Sequence, residues 1–205
     1  VYQTIYFDGK YAYAFTGDVY VKIKFETKHQ YQMDHRIARQ VLVVLKNTEG
    51  EHVYLKNYEE SGQIMIKTES DLLIYRLMDD EIYEVDVMDD FKGDLTLKLK
   101  MNELVNAIFR TSLGSDDGDI NLKAGDKKLI LNSMTETGEI AYDEVKIVEF
   151  KGEPNKDDLS VLYSTLVKLC KAIRESEIEI DFDMDNNILR IRDESETSVG
   201  FMTFE

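Results

Sequence analysis

Three aspartates, Asp181, Asp183 and Asp185, stand at alternate positions in "EIEIDFDMDNN", residues 177–187. Carboxylates at that spacing open the calcium loop of an EF-hand. Such a loop also needs glycine at its sixth position, for the sharp turn, and a bidentate glutamate at its twelfth. Counted from Asp181, those positions hold Asn186 and Arg192. The metal reading fails on both. Ile178, Ile180, Phe182 and Met184 fill the intervening positions, and alternation of this kind predicts a strand. Asn186-Asn187 then supplies a hairpin turn into "ILRIR".

Other reactive residue types carry as little. His29, His35 and His52 lack metal-ligand spacing. "LGSDDGD", residues 113–119, is rich in turn formers and is neither a phosphate loop nor a dinucleotide fingerprint. The single cysteine, Cys170, falls on the apolar side of a helical pattern and reads as packing rather than as a nucleophile. One cysteine makes no internal disulfide and fits a reducing compartment. No catalytic couple stands out, and the expectation is a non-enzyme with no metal or cofactor. An acidic-site hydrolase using metal at clustered aspartates is the rival reading from another class.

The elements that position these residues form a repeating order. The chain has 205 residues, a net charge of −16, 43% hydrophobic residues and one proline. Such a composition fits regular structure with a real core and an acidic, solvated surface. No run of eighteen apolar residues or secretory signal is visible. "QTIYFDGKYAYAFTG" predicts a hairpin about Asp8-Gly9, and "DVYVKIKFET" a half-buried strand with Val19, Val21, Ile23 and Phe25 inward. "MDHRIARQVLVVLKN" predicts a helix with Asp34 as N-cap and an apolar face of Ile37, Ala38, Val41, Leu42, Val44 and Leu45. Strands follow in "EHVYLKNY", "QIMIKTES" and "DLLIYRLM". An acidic connector spans residues 79–94.

Beyond the connector the order recurs. "LTLKLK" is a strand, and "MNELVNAIFRTS" a helix with Met101, Leu104, Val105, Ile108 and Phe109 inward. Strands follow in "DINLKAG", "KKLILNSM" and "GEIAYDEVKIVEF". "DLSVLYSTLVKLCKAIRES" is a third helix with Leu159, Leu162, Leu166, Leu169, Cys170 and Ile173 inward. The last strands are "EIEIDFDMD", "NILRIRD" and "SVGFMTF". One helix and then about three strands, three times over, predicts α+β units with helices on antiparallel sheets. A boundary near Asp90 divides domain 1–90 from domain 91–205.

Within this acidic chain the helices are basic. Arg36, Arg39 and Lys46 lie opposite Ile37, Val41 and Leu45. Arg110 shares a polar face with Asn102 and Asn106, and Lys100 precedes that helix. Lys168 and Lys171 share one with Ser164 and Thr165, and Arg174 flanks it. Glu103 is the main acidic intruder, while Glu177, Glu179, Asp181 and Asp183 line one strand face. Basic helices can reach phosphates without reading bases, so the pattern predicts salt-sensitive, sequence-independent binding.

This ordered series resembles the DNA sliding clamps of the proliferating cell nuclear antigen type. "HRIARQVLVVLKN" resembles the helix before the inter-domain crossing. "LLIYRLMDDEIYEVDVMDDFKGDLTLKLKMNELVNAIFRTS" resembles the last strand of the first domain, the connector, and the first strand and helix of the second. "YSTLVKLCKAIRESEIEIDFDMDNNILRIRDESETSVGFMTF" resembles the final helix, hairpin and C-terminal strand. The resemblance implies a clamp fold of two similar domains, antiparallel sheets outside and helices lining the inner face. It implies a processivity factor that encircles duplex DNA in replication and repair, as a homo-oligomeric ring, a trimer for two-domain chains. Arg36, Arg39, Lys46, Lys100, Arg110, Lys168, Lys171 and Arg174 would then face DNA. Polymerase and clamp loader would dock short hydrophobic motifs against Val85, Val87 and Met88 in the connector and Phe201, Met202 and Phe204 in the tail. It implies an intracellular location with DNA, nuclear or cytoplasmic by source. Family chains open with a strand and helix that have no counterpart here, and "FMTFE" lacks the proline common near the family's C-terminus. Either the first strand and helix were removed from this chain or it is a divergent or viral relative, and the missing proline bears on the docking residues rather than on the fold. The alternative within the same fold is a transcription or checkpoint adaptor that does not encircle DNA.

Overall fold

The computed structural model describes residues 4–16, 19–24, 26–28, 30–47, 54–68, 72–77, 91, 93–115, 118–154, 158–173, 175–193 and 198–203. Side chains at 15–16, 44–47, 55, 57, 59, 172 and 198–203 lie outside this description. The chain divides into two compact units, Val1–Gly17 with Lys24–Val85, and Asp18–Ile23 with Asp86–Glu205.

The first elements in chain order are β1 (Thr4–Phe7), β2 (Tyr11–Thr16), β3 (Val19–Lys24), β4 (Tyr31–Asp34), α1 (His35–Asn47), β5 (Tyr54–Tyr58), β6 (Gln63–Lys67) and β7 (Leu72–Arg76). In the first unit β1 pairs with both β2 and β4, antiparallel throughout. The β1–β2 turn is Asp8-Gly9. Gly9 takes φ +103°, and the Asp8 carboxylate accepts the Lys10 and Tyr11 amides, each at 2.7 Å. The three-stranded antiparallel sheet β5-β6-β7 buries Ile64 and Ile66, which cluster with Tyr31 and Met33 and with Ile37, Ala38 and Val41 of α1.

The second unit contains β8 (Leu95–Lys100), α2 (Met101–Ser112), β9 (Asp119–Ala124), β10 (Lys128–Met134), β11 (Ile140–Lys146), β12 (Glu149–Gly152), β13 (Leu159–Leu162), α3 (Tyr163–Ala172), β14 (Glu177–Asp183), β15 (Ile188–Asp193) and β16 (Ser198–Thr203). One sheet runs β11-β10-β9-β13; the other carries β12-β8-β14-β15-β16-β3 in order. Strand β8 leads into α2 but pairs with β14, which follows α3; β13 leads into α3 but pairs with β9, which follows α2. Each β-α-βββ module thus lends its first strand to the other's sheet, and α2 and α3 pack together over both. The core so closed includes Leu97, Leu99, Leu104, Ile108, Leu122, Leu131, Leu166, Leu169, Ile180 and Phe182.

Several elements differ from the sequence expectation. The third helix begins at Tyr163, and Leu159–Leu162 is a strand. The Leu159 and Leu162 spacing fits either period, and pairing with β9 decides for the strand; Leu162 is exposed. The first helix starts at His35, after the expected N-cap Asp34, but the short β4 just before it was not foreseen; there Tyr31 and Met33 bury against the first unit's core. "GEIAYDEVKIVEF" breaks into β11 and β12, which pair with β10 and β8 respectively. On β3 Val19 and Val21 pack against the second unit's core as expected, but the fully buried residue is Tyr20 and Ile23 is exposed. On the helices Leu42, Val105 and Phe109 are exposed, and Ala107 and Thr111 take inward places on α2. Phe25, Val44, Leu45 and most of the connector lie outside the described residues or side chains.

Candidate nucleic-acid interface

Each helix is launched by the strand before it, so its polar side is fixed by which residues that strand's sheet buries. Asp34 ends β4 and caps α1, its Oδ1 accepting the Arg36 amide at 2.8 Å. It also holds the Arg36 guanidinium, whose Nε and Nη2 donate to Oδ1 and Oδ2 at 2.9 and 3.0 Å. That pairing holds the Asp34 carboxyl down at about 2. Arg36 is therefore folded onto the helix start, whereas Arg39, one turn on, is exposed. Lys46 lies in α1 with its side chain outside the description.

In the second unit Lys100 is exposed and 3.7 Å from Glu103, one turn into α2. Arg110 is bound by Asp143 of β11, and this contact lowers the Asp143 pKa and raises that of Arg110. On α3, Lys168 and Lys171 are exposed and form no ion pair with a described residue. Arg174 lies outside the described residues. Of the eight cations expected to meet phosphate, Arg39, Lys168 and Lys171 are thus presented without a described carboxylate partner. Helix faces alone could not reveal that Arg110 meets Asp143, 33 residues on in the chain.

The expected partner-docking positions are mostly undescribed. Val85, Val87, Met88 and Phe204 lie outside the described residues; Phe201 and Met202 belong to β16, opposite Arg190 and Leu189 in register.

The alternating aspartates resolve into different roles. The strand is β14, and Ile178, Ile180 and Phe182 are buried as expected. Asp181, on the same strand face as Glu179 and Asp183, is covered rather than solvated: only 2% exposed, it accepts hydrogen bonds from Thr96 Oγ1 at 2.6 Å, Arg190 Nε at 2.8 Å and Arg192 Nε at 3.2 Å. Arg190 also stacks on Phe91, its guanidinium carbon 4.5 Å from the ring centre, and Arg192 pairs with Glu179 at 2.5 Å. The carboxylate is structural, and its charge is matched from two sides. Asp183 instead caps the hairpin, accepting the Asn186 amide at 3.0 Å, and Asn187 takes φ +55° in that turn. Among the described residues no three His, Cys, Asp or Glu side chains gather as metal ligands. Cys170 is buried and its thiol is pushed up to about 12 by that burial. Also among the described residues, no helix is long and apolar enough to cross a membrane.

Over 98% of its length the chain superposes on the DNA polymerase III subunit beta from Pseudomonas aeruginosa, with a TM-score of 0.84 and 16% identity. The fold is that of the DNA sliding clamps. A sliding clamp from Bacillus subtilis matches at TM-score 0.86 and 15% identity, and a putative beta subunit from Eubacterium rectale at 0.85 and 14%, each over 98% of this chain. The chain spans only 55–57% of the length of these three clamps. No family model and no curated protein sequence matches it. The clamp fold accounts for the repeated β-α-βββ order and for the antiparallel sheets, and at this identity it is the fold alone that is shared.

Proposed function

We propose that the chain is a DNA sliding clamp, a non-catalytic tether that holds replication proteins on duplex DNA. The observation that carries this reading is the clamp topology over 98% of the chain, combined with helices whose exposed positions hold Arg39, Lys168 and Lys171 in a protein of net charge −16. Cations on helices can follow a phosphate backbone without reading sequence, and weak electrostatic contact permits sliding. The remaining expected DNA-facing cations, Arg36, Lys46, Lys100, Arg110 and Arg174, act in support. Arg36 and Arg110 do so only after release from Asp34 and Asp143.

Ring formation needs edges that pair between copies. Strand β7 ends the three-stranded sheet and exposes Leu72 and Ile74; β11 ends the four-stranded one and exposes Ile140 and Tyr142. Head-to-tail pairing of β7 with β11 of the next copy closes a ring when the rotation permits. Three copies of two units each is the closure we favour. The connector, with Val85, Val87 and Met88, and the tail, with Phe201, Met202 and Phe204, form the docking region for short apolar motifs of polymerase and clamp loader.

Two measurements test the reading together. Solution mass is expected to be three times that of the chain, and retention is expected on nicked circular DNA but not on linearised DNA. Charge reversal at Arg39, Lys168 and Lys171 is expected to abolish retention while leaving circular dichroism unchanged. A monomer with no dependence on DNA topology overturns the clamp and leaves a clamp-fold adaptor.

A further inference from the structure

The outer face of the β5-β6-β7 sheet carries no carboxylate at its paired positions. The register aligns Tyr54, Lys67 and Leu72 in one row, Lys56, Met65 and Ile74 in the next, and Tyr58, Gln63 and Arg76 in the third. The opposite face carries the buried Ile64 and Ile66. These nine positions hold three cations, two tyrosines, three apolar residues and no carboxylate, in a chain with 41 acidic and 25 basic residues. The face is open: Tyr54 is 65% exposed, Leu72 58%, Ile74 55% and Tyr58 37%. Lys56, Lys67 and Arg76 are exposed, and none forms an ion pair with a described residue. Lys56 Nζ sits 4.7 Å from the Tyr58 ring centre, and the Tyr58 hydroxyl donates to the Met65 sulfur at 3.7 Å. Glu60, in the turn after β5, is an exposed carboxylate at its margin.

Aromatic rings interleaved with cations on a flat antiparallel sheet suit one chemistry well. Bases stack on the rings whatever their identity, and the cations hold the phosphates between them. Alternate residues along a strand stand ~6.8 Å apart, so Tyr54, Lys56 and Tyr58 offer ring, cation and ring over ~14 Å. An acidic polypeptide, a second copy of this chain included, would use the cations but leave the exposed rings unstacked. We propose that the outer face of β5-β6-β7 binds single-stranded DNA, independently of any duplex held by the helices.

The test is fluorescence anisotropy of a labelled twenty-nucleotide oligo(dT) against the full chain, with a duplex of equal length and poly-glutamate as competitors. Binding is expected to weaken with salt, with a log–log slope near about −2 for three phosphate contacts at ~0.7 each. Tyr54→Ala with Tyr58→Ala, and separately Lys56→Glu with Lys67→Glu, are each expected to weaken it at least ~10-fold, the first by removing the stacking rings and the second by reversing the phosphate contacts. Reversing Arg39, Lys168 and Lys171 is expected to leave it unchanged. That arm separates this site from the clamp reading, which the same reversal tests on nicked circles. No oligo(dT) binding at 50 mM salt, equal loss with the helix variants, or equal competition by duplex or poly-glutamate overturns the proposal. So does a change in solution mass, rather than in DNA affinity, on altering the face.

Discussion

At the scale of single residues, context separates side chains that the sequence makes look alike. Asp181 and Asp183 are two positions apart on β14, yet one is buried between two arginines and the other ties a turn. Alternation correctly placed the isoleucines, but it could not show that the polar face of this strand is covered by Arg190, itself stacked on Phe91. The energetic consequence is specific. Removing one member of a buried ion pair strands the other charge and costs about 3–5 kcal/mol. Asp181→Ala is expected to fall in that range by urea denaturation, because it removes the buried carboxylate that Arg190 and Arg192 share; Arg192 keeps Glu179, so most of the cost falls on Arg190. Asp183→Ala, which loses a half-exposed turn contact, is expected to cost only ~1 kcal/mol. Comparable losses for the two would show that burial of the Asp181 cluster contributes little. The same logic bears on Arg36 and Arg110: a cation on a polar helix face is not thereby available, since Asp34 and Asp143 already hold these two.

At the scale of elements, the order of strands and helices was legible wherever a turn signal marked a hairpin or a period ran for five residues or more. The Asp8-Gly9 hairpin, β6, β8, β10, β14 and α2 stand where alternation or helical spacing puts them. What escaped were the four-residue strands β4 and β13 that launch helices. They are too short to show a period, and their identity is set by pairing with β1 and β9, distant in sequence. The helix faces were only half legible for a related reason. Val105 and Phe109 are apolar, but the sheets accept Leu104, Ala107, Ile108 and Thr111. Strand exchange in the second unit also buries the inner side of α3, and that burial raises the Cys170 thiol to about 12 from an ordinary 9.0. Tyr31 on β4 is likewise pushed up, to about 12 from 10.0. A folded-state pKa above the unfolded one means that the unfolded chain loses its proton first. Stability is therefore intact below about pH 9 and declines as pH rises toward 12. Urea midpoints are expected to fall across that window. The Cys170→Ala variant, with a neutral side chain at that place, is expected to show a shallower fall, and an identical slope would remove Cys170 from the account.

At the scale of the whole molecule, the unsatisfied feature is apolar surface at open sheet edges. Val105, Phe109 and Leu113 recur at four-residue spacing along α2 and its C-cap and are 38%, 58% and 75% exposed. The helix packs closely against β11, where Gly114 lies so tight on Ala141 that a side chain there would collide with it. The stripe therefore borders the same edge that exposes Ile140 and Tyr142. An unpaired strand edge with adjoining apolar surface is a template for another chain, and soluble proteins otherwise blunt such edges with charge. Here Lys128 and Glu144 pair across β10 and β11, and Arg110 is drawn to Asp143, so these four charges are satisfied within the unit rather than turned over the stripe. The proposed ring uses this surface as its contact. Replacing Phe109 and Leu113 together by aspartate adds two carboxylates to the centre of that contact and removes its largest apolar groups. Buried interface anchors of this kind cost 2 kcal/mol or more apiece when lost, so self-association is expected to weaken by at least ~100-fold. In analytical ultracentrifugation the variant is expected to sediment as a single chain with unchanged circular dichroism, and to lose retention on nicked circular DNA while still binding oligo(dT). If it sediments at the mass of the unaltered protein, copies do not meet at β11, and the ring as drawn is wrong.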